Sequence, residues 1–200
     1  MIEKNSIGLI ELGSIASGIQ AADLMLKTSE VELMLSRTIC SGKYMTLIAG
    51  DVAAVNSAVN NAIDTIGFGV IDHFVIPNVH KTIFPAIAGH NNVEMLESLG
   101  IVESYSVASL IEAADAAVKA SKVKLVELRL AMALGGKAFF SVTGEVAAVT
   151  SAVEAGAAVV SERGLLVNKV VIANPRQELL SEMNIEKAFD RIKKTYIYIH

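Results

Sequence analysis

Tryptophan is absent from the 200 residues, cysteine occurs once, proline three times, and aromatic residues make up 5%. A single cysteine cannot close a disulfide within the chain, and one thiolate cannot by itself build a metal site; it fits a reducing, cytosolic setting. With so few rings, the core has to come from Ala, Val, Leu and Ile, which favour close helix-on-sheet packing. No run reaches the roughly 18 uncharged apolar residues of a spanning helix, so no membrane is expected. No basic start leads into an apolar run, and Glu11 interrupts the nearest candidate, so no secretory signal is expected. A basic excess is missing too: the net charge is −4 and the pI near 5.6, which argues against nucleic acid as the partner. Apolar residues are plentiful, at 52% with a mean hydropathy of +0.50. That suggests apolar surface buried against other chains.

The chain repeats itself. Shifted by 92, GLIELGSIASGIQAADLMLKTSEVELM (8–34) aligns with GIVESYSVASLIEAADAAVKASKVKLV (100–126), with 13 of 27 positions identical. Composition alone would give roughly two. Shifted by 94, GKYMTLIAGDVAAVNSAV (42–59) aligns with GKAFFSVTGEVAAVTSAV (136–153), with ten of 18 identical. The second copy carries two extra residues within LAMALGGK (130–137), opposite TICSGK (38–43). The copies differ most in length where the one cysteine, Cys40, lies.

Each copy reads as strand, helix, strand, strand, helix, strand. IGLIEL (7–12) is a buried-strand run ending at Gly13. Ser14 caps a helix in which Ile15, Ile19, Ala22 and Met25/Leu26 recur at helical spacing. VELMLSRTI (31–39) and KYMTLIAG (43–50) flank the Cys40-Ser41-Gly42 turn as a hairpin. Asp51 caps VAAVNSAVNNAID, and VIDHFVI (70–76) is a fourth strand stopped by Pro77. The second copy repeats the series over 100–104, 106–120, 123–132, 137–144, 146–161 and 165–172. The fold class is therefore α/β, two tandem domains of βαββαβ order, each a sheet with two helices on one face. The domains are placed at 1–90 and 91–180, with a C-terminal extension at 181–200. The other sheet face also needs cover, which a neighbouring subunit would supply.

Taken alone, Cys40 reads as a small buried hydrophobe, and Lys27 and Lys119 as solvated lysines near helix C-termini. His73, His80, His90 and His200 have no zinc-site spacing. The glycines of ALGGK do not form a phosphate loop. Glu11 and Glu103 repeat at the ends of the first strands, which points to a structural role. No acid–base or nucleophilic constellation stands out, so no enzyme is expected.

The motifs GLIEL, A-A-D-x-x-x-K (21–27 and 113–119) and G-[DE]-V-A-A-V (50–55 and 144–149) resemble the shell proteins of bacterial microcompartments, whose domain is ferredoxin-like. The likeness spans about residues 6–176. Two domains in one chain, opening on the IGLIEL strand, are similar to the non-permuted tandem type. R-T-I-C-S-G-K brings the chain closest to the propanediol-utilisation T type, in which a cysteine in this loop holds an iron–sulfur cluster.

The resemblance implies a homotrimer forming a pseudo-hexameric tile in the shell of a cytoplasmic microcompartment, beside other shell proteins and encapsulated redox enzymes. It implies a pore lined by Thr38, Ile39, Cys40, Ser41 and Gly42, and by Ala133, Leu134, Gly135 and Gly136 of the second copy. Three Cys40 thiolates would then hold one [4Fe–4S] cluster, with a small group as the fourth ligand in place of the usual fourth cysteine, for electron transfer across the shell. Lys27 and Lys119 would lie at the tile edge. Asn78 and Asn174 stand where the family's edge arginine falls. The alternatives are a plain metabolite pore without a cluster, and a trimeric small-molecule-binding regulator.

Overall fold

The computed structural model describes residues 4–89, 93–131 and 134–183. The first copy runs β1 (Ser6–Leu12), α1 (Ile15–Thr28), β2 (Glu32–Ile39), β3 (Lys43–Gly50), α2 (Val52–Ile66) and β4 (Val70–Pro77). A short helix α3 (Ile83–Ile87) follows, in a connector where the sequence pattern shows no helix. The second copy runs β5 (Ser98–Ser104), α4 (Val107–Ala120), β6 (Lys124–Leu130), β7 (Ala138–Thr143), α5 (Val146–Glu162) and β8 (Leu166–Ala173). A last helix α6 (Glu178–Met183) runs across the boundary expected at 180/181; His90, His200 and the rest of the expected extension, 184–200, lie outside the described residues.

Each copy forms a four-stranded sheet, in the orders β2-β3-β1-β4 and β6-β7-β5-β8. The pairings of β1 with β3 and β4, of β2 with β3 and of β5 with β8 are antiparallel. The duplication holds to single residues. Gly8 faces Val75 and Gly100 faces Val171, and both registers slip after the repeated glutamate, at Glu11/Leu12 and Glu103/Ser104. Both expected caps form: the Ser14 hydroxyl accepts from Ser17 N at 3.4 Å, and Asp51 accepts from Ala53 N at 2.8 Å. The second copy has Glu145 at the latter position, and it makes no side-chain cap bond.

By packing, the chain divides into two compact units that cut across the repeat. One takes residues up to His80 together with Tyr105–Glu112 and Leu130–Ala138; the other takes Lys81–Ser104, Ala113–Arg129 and the chain from Phe139. In the first unit, Ile10, Leu12 and Ile48 of the sheet meet Ala21, Met25, Val55, Ala58, Val59 and Ala62 of the helices. The residues of α1 that are buried are Gly18, Ala21, Ala22 and Met25. Of the stripe read from the sequence, Ala22 and Met25 are inside, but Ile15, Ile19 and Leu26 are exposed. The helix approaches its sheet through small residues, so its large aliphatic side chains are left on the flank.

Close approach has one cause in both copies. A Cβ on Gly8 would sit 2.7 Å from Val55 Cγ1 and Val59 Cγ2; one on Gly100 would sit 2.6 and 2.5 Å from Val149 Cγ1 and Val153 Cγ2. Elsewhere the copies exchange volume. Gly18 makes room for Tyr44, whose ring lies within 2.5 Å of a would-be Cβ; the corresponding residues of the second copy are Leu110 and Ala138. Gly156 makes room for Phe140, where the first copy has Ala62 and Thr46.

These exchanges predict coupling. Gly18→Leu alone should destabilise by about 1–3 kcal/mol through overpacking. Combined with Tyr44→Ala it should regain most of that loss, as a double-mutant cycle in urea would read.

Candidate functional site

Strands β2 and β3 pair up to Ile39 and Lys43, leaving the three residues Cys40–Gly42 as their turn. Ser41 (φ 68°, ψ 24°) and Gly42 (φ 71°) are both left-handed. Two such residues in succession suit the right-handed twist of a hairpin. Glycine enters this region freely, whereas serine does so at a cost of about 1–2 kcal/mol. Ile39 is buried, Cys40 half-buried, and Thr38, Ser41 and Gly42 exposed. Nothing lies within 4 Å of a Cβ built on Gly42. The thiol is thus carried on a narrow hairpin tip with open space beside it.

The second loop reaches the same compact unit. Cys40 N donates to Ala131 O at 3.0 Å, and a Cβ on Gly136 would lie 3.7 Å from Ser41 Oγ. Ala131 (φ 46°), Gly135 (φ 61°) and Gly136 (φ 86°) are left-handed, and Lys137 N donates to Leu134 O at 3.1 Å. Met132 and Ala133 lie outside the described residues. The two extra residues of this loop permit a wider, glycine-rich turn, and the thiol-bearing loop is tied by its backbone to the loop's first residue.

Charges lie just behind the turn. Lys43 Nζ donates to Glu11 Oε1 at 2.8 Å. Glu11 is buried, and its other oxygen has no hydrogen-bond partner among the described residues. Burial of this pair is consistent with the structural role expected of Glu11, since removing one partner would strand a charge. Arg37 and Arg129 occupy equivalent positions on β2 and β6. Partial burial lowers the Arg37 guanidinium from its ordinary value. Arg129 donates to Glu127 and lies 5.8 Å from the Phe139 ring centroid, a cation–π distance. Burial raises the Glu127 carboxyl, and the neighbouring Arg129 opposes that shift. The two arginines fall between the aligned blocks of the repeat, where the shift is changing; aligning the strands that flank the turns would have paired them.

The repeated A-A-D-x-x-x-K motif is an ion pair one helical turn long: Lys27–Asp23 at 2.6 Å and Lys119–Asp115 at 2.5 Å. Aspartate N-terminal to lysine is the favourable order. Lys27 and Lys119 are both exposed on helix ends. Asn78 and Asn174 directly follow β4 and β8, are exposed, and are left-handed with φ of 51° and 50°. Asparagine tolerates this region better than most residues, which gives both positions a local reason for the residue found there. Among the described residues no group of three or more His, Cys, Asp or Glu could hold a metal ion, and no helix is long and apolar enough to cross a membrane.

Two tandem four-stranded βαββαβ domains, the first with a cysteine-tipped β2–β3 hairpin, define a class that comparison with known proteins identifies. The BMC domain model matches residues 6–79 and 98–175. The chain belongs to the BMC-domain family, as a non-permuted tandem-domain bacterial microcompartment shell protein. It is 43% identical over 178 residues to the bacterial microcompartment shell protein PduT of Citrobacter freundii, covering 89% of this chain and 97% of that one. It is 43% identical over 84 residues to the shell protein EutM of Salmonella typhimurium, 42% of this chain and 85% of that one. A crystal structure of a microcompartment protein from Desulfitobacterium hafniense superposes with a TM-score of 0.82 at 49% identity, covering 87% of this chain and 97% of that one.

The turn geometry gives a direct test. Gly42→Ala should cost about 1–2 kcal/mol and Ser41→Gly should gain up to about 1 kcal/mol, both read from thermal unfolding.

Proposed function

We propose that three copies of this chain form a pseudo-hexameric shell tile whose central pore is lined by the Cys40 loops and holds one [4Fe–4S] cluster. The observation that carries this reading is the hairpin tip. The only thiol of the chain stands half-exposed on a turn of small residues, beside a Gly42 with open space around it. A thiolate is the donor that iron–sulfur chemistry requires. One chain supplies one such donor, so ligation calls for a threefold axis. The similarity to PduT over nearly the whole of both chains supports the same placement.

In this reading the three Cys40 residues hold the cluster. When bound, the cluster supplies one-electron redox chemistry, passing electrons between lumen and cytosol. Thr38, Ile39, Ser41 and Gly42 shape the approach, with Leu134, Gly135, Gly136 and the unplaced Ala133 lining the alternate positions. Arg37, Lys43 and Lys137 set the charge around it. Lys27, Lys119, Asn78 and Asn174 lie at the tile edge against other shell proteins. Encapsulated redox enzymes would be the electron partners.

Reconstitution with iron and sulfide under strict anaerobiosis should give about four irons per three chains, visible absorption and a paramagnetic signal on reduction. Cys40→Ser should lose all three while keeping the oligomer mass. Full retention of the signals in Cys40→Ser would refute ligation by this residue, and iron far below that ratio in the unmodified protein would favour a plain metabolite pore.

A further inference from the structure

The second compact unit holds a cavity of about 470 Å³ where β5, β6 and α5 begin. Its charged lining consists of Lys122 and Lys124 at the start of β6, Glu97 just ahead of β5, and Glu145 at the head of α5. Met95 and Val123 add apolar wall. All four charged side chains are exposed, and none makes an ion pair or hydrogen bond among the described residues. Lysines and glutamates thus share one cavity without neutralising one another.

The repeat supplies a comparison. The first copy has Glu30 and Glu32 at the positions of Lys122 and Lys124, Lys4 at that of Leu96, and Asp51 at that of Glu145. There the charges are occupied: Lys4 Nζ meets Glu32 Oε2 at 2.6 Å, and Asp51 caps its helix through Ala53 N. In the second copy Leu96 takes the lysine's place and joins an apolar cluster with Leu99, Val126 and Leu180. The two acids on the strand have become bases, and Glu145 makes no side-chain cap bond. Glu97, where the first copy has Asn5, adds a second carboxylate. A site that is acidic and self-paired in one copy is open, mixed in charge and unpaired in the other.

We propose that this cavity binds a small zwitterion, a molecule with an oxyanion (carboxylate or phosphate) at one end and an ammonium group at the other. Lys122 and Lys124 donate to the oxyanion, and Glu97 and Glu145 accept from the ammonium, both through charge-assisted hydrogen bonds. Met95 and Val123 cover the short carbon chain between the ends. The volume lies in the range of small-molecule sites, where a few placed polar groups fix the ligand's orientation. A ligand with one charge would engage half of the charged lining. Tying down both ends makes the second contact intramolecular, so the two-ended molecule binds more tightly than either end alone. The site depends neither on the tile nor on iron, because all of its residues belong to one compact unit of one chain.

Calorimetric titration of the full chain at low ionic strength, where exposed charges are least screened, tests this. 4-Aminobutyrate should bind one per chain, about tenfold more tightly than butyrate or butylamine, which present one end each. O-Phosphoethanolamine, compared with 4-aminobutyrate, tells phosphate from carboxylate by which of the two binds more tightly. Lys124→Gln should weaken 4-aminobutyrate and butyrate about fivefold and leave butylamine unchanged. Glu145→Gln should weaken 4-aminobutyrate and butylamine and leave butyrate unchanged. Both positions are exposed, so thermal unfolding of the two variants should match that of the unmodified chain. Cys40→Ser should bind as the unmodified chain does. Failure of both zwitterions to bind, a zwitterion no tighter than its one-ended relatives, or affinities that neither charge variant moves would overturn the site. Binding lost in Cys40→Ser would place the ligand elsewhere and overturn it as well.

Discussion

The distance between sheet and helices is set where Val55 and Val59 press on the backbone of β1 at Gly8, and where Val149 and Val153 press on β5 at Gly100. A side chain at either glycine would push the α2-type helix outward. The small residues that line α1 and α2 would then lose contact with Ile10, Leu12 and Ile48. This accounts for a core almost without aromatic rings. Layers packed this closely leave space for Ala and Val, and large groups fit only where a neighbour gives way, as Gly18 does for Tyr44 and Gly156 for Phe140. The same closeness leaves Ile15, Ile19 and Leu26 of α1 outward, while Met25 stays inside.

Duplication within a chain can repeat a packing arrangement but not a surrounding. The first sheet's Leu9, Phe74 and Ile76 are closed in, and the second sheet's Val170 and Ile172 are open. Exposed large apolar side chains therefore differ between the copies: Ile15, Ile19 and Leu26 on α1 and Val170 and Ile172 on β8 are open, as are Phe68, Met95 and Tyr105 outside these elements.

Most of the fold was legible because duplication doubles the signal. Strands as ambiguous as VIDHFVI become secure when LVNKVVI occupies the same place in a second copy. The capping roles of Ser14 and Asp51 were readable from residue type and position alone. The stripe on α1 was not. Ile15, Ile19 and Leu26 keep helical spacing, and periodicity cannot tell a face that packs on its own sheet from one left open. Nor did the pattern show α3, a five-residue helix containing Pro85, or the left-handed turns at Asn78 and Asn174. The turn at Cys40 was placed correctly, but its pairing with Ala131 depends on a contact 91 residues away in sequence, which no local rule reaches.

The length difference between the two hairpins bears on why only one of them carries a thiol. A three-residue turn leaves Cys40 no freedom to fold back, since Ser41 and Gly42 are already committed to left-handed geometry. The seven residues between β6 and β7 include two left-handed glycines and can spread sideways. A ligand-bearing loop has to present its donor at a fixed point, which favours the short, strained turn. A loop that only fills the intervening position needs to yield to it, which favours the longer, glycine-rich one. Six identical domains could not meet both demands on one axis, whereas a fused pair can. In the proposed tile the duplication would allow a threefold set of thiolates inside a ring of six similar domains, and the backbone bond from Cys40 to Ala131 would be where the two demands meet.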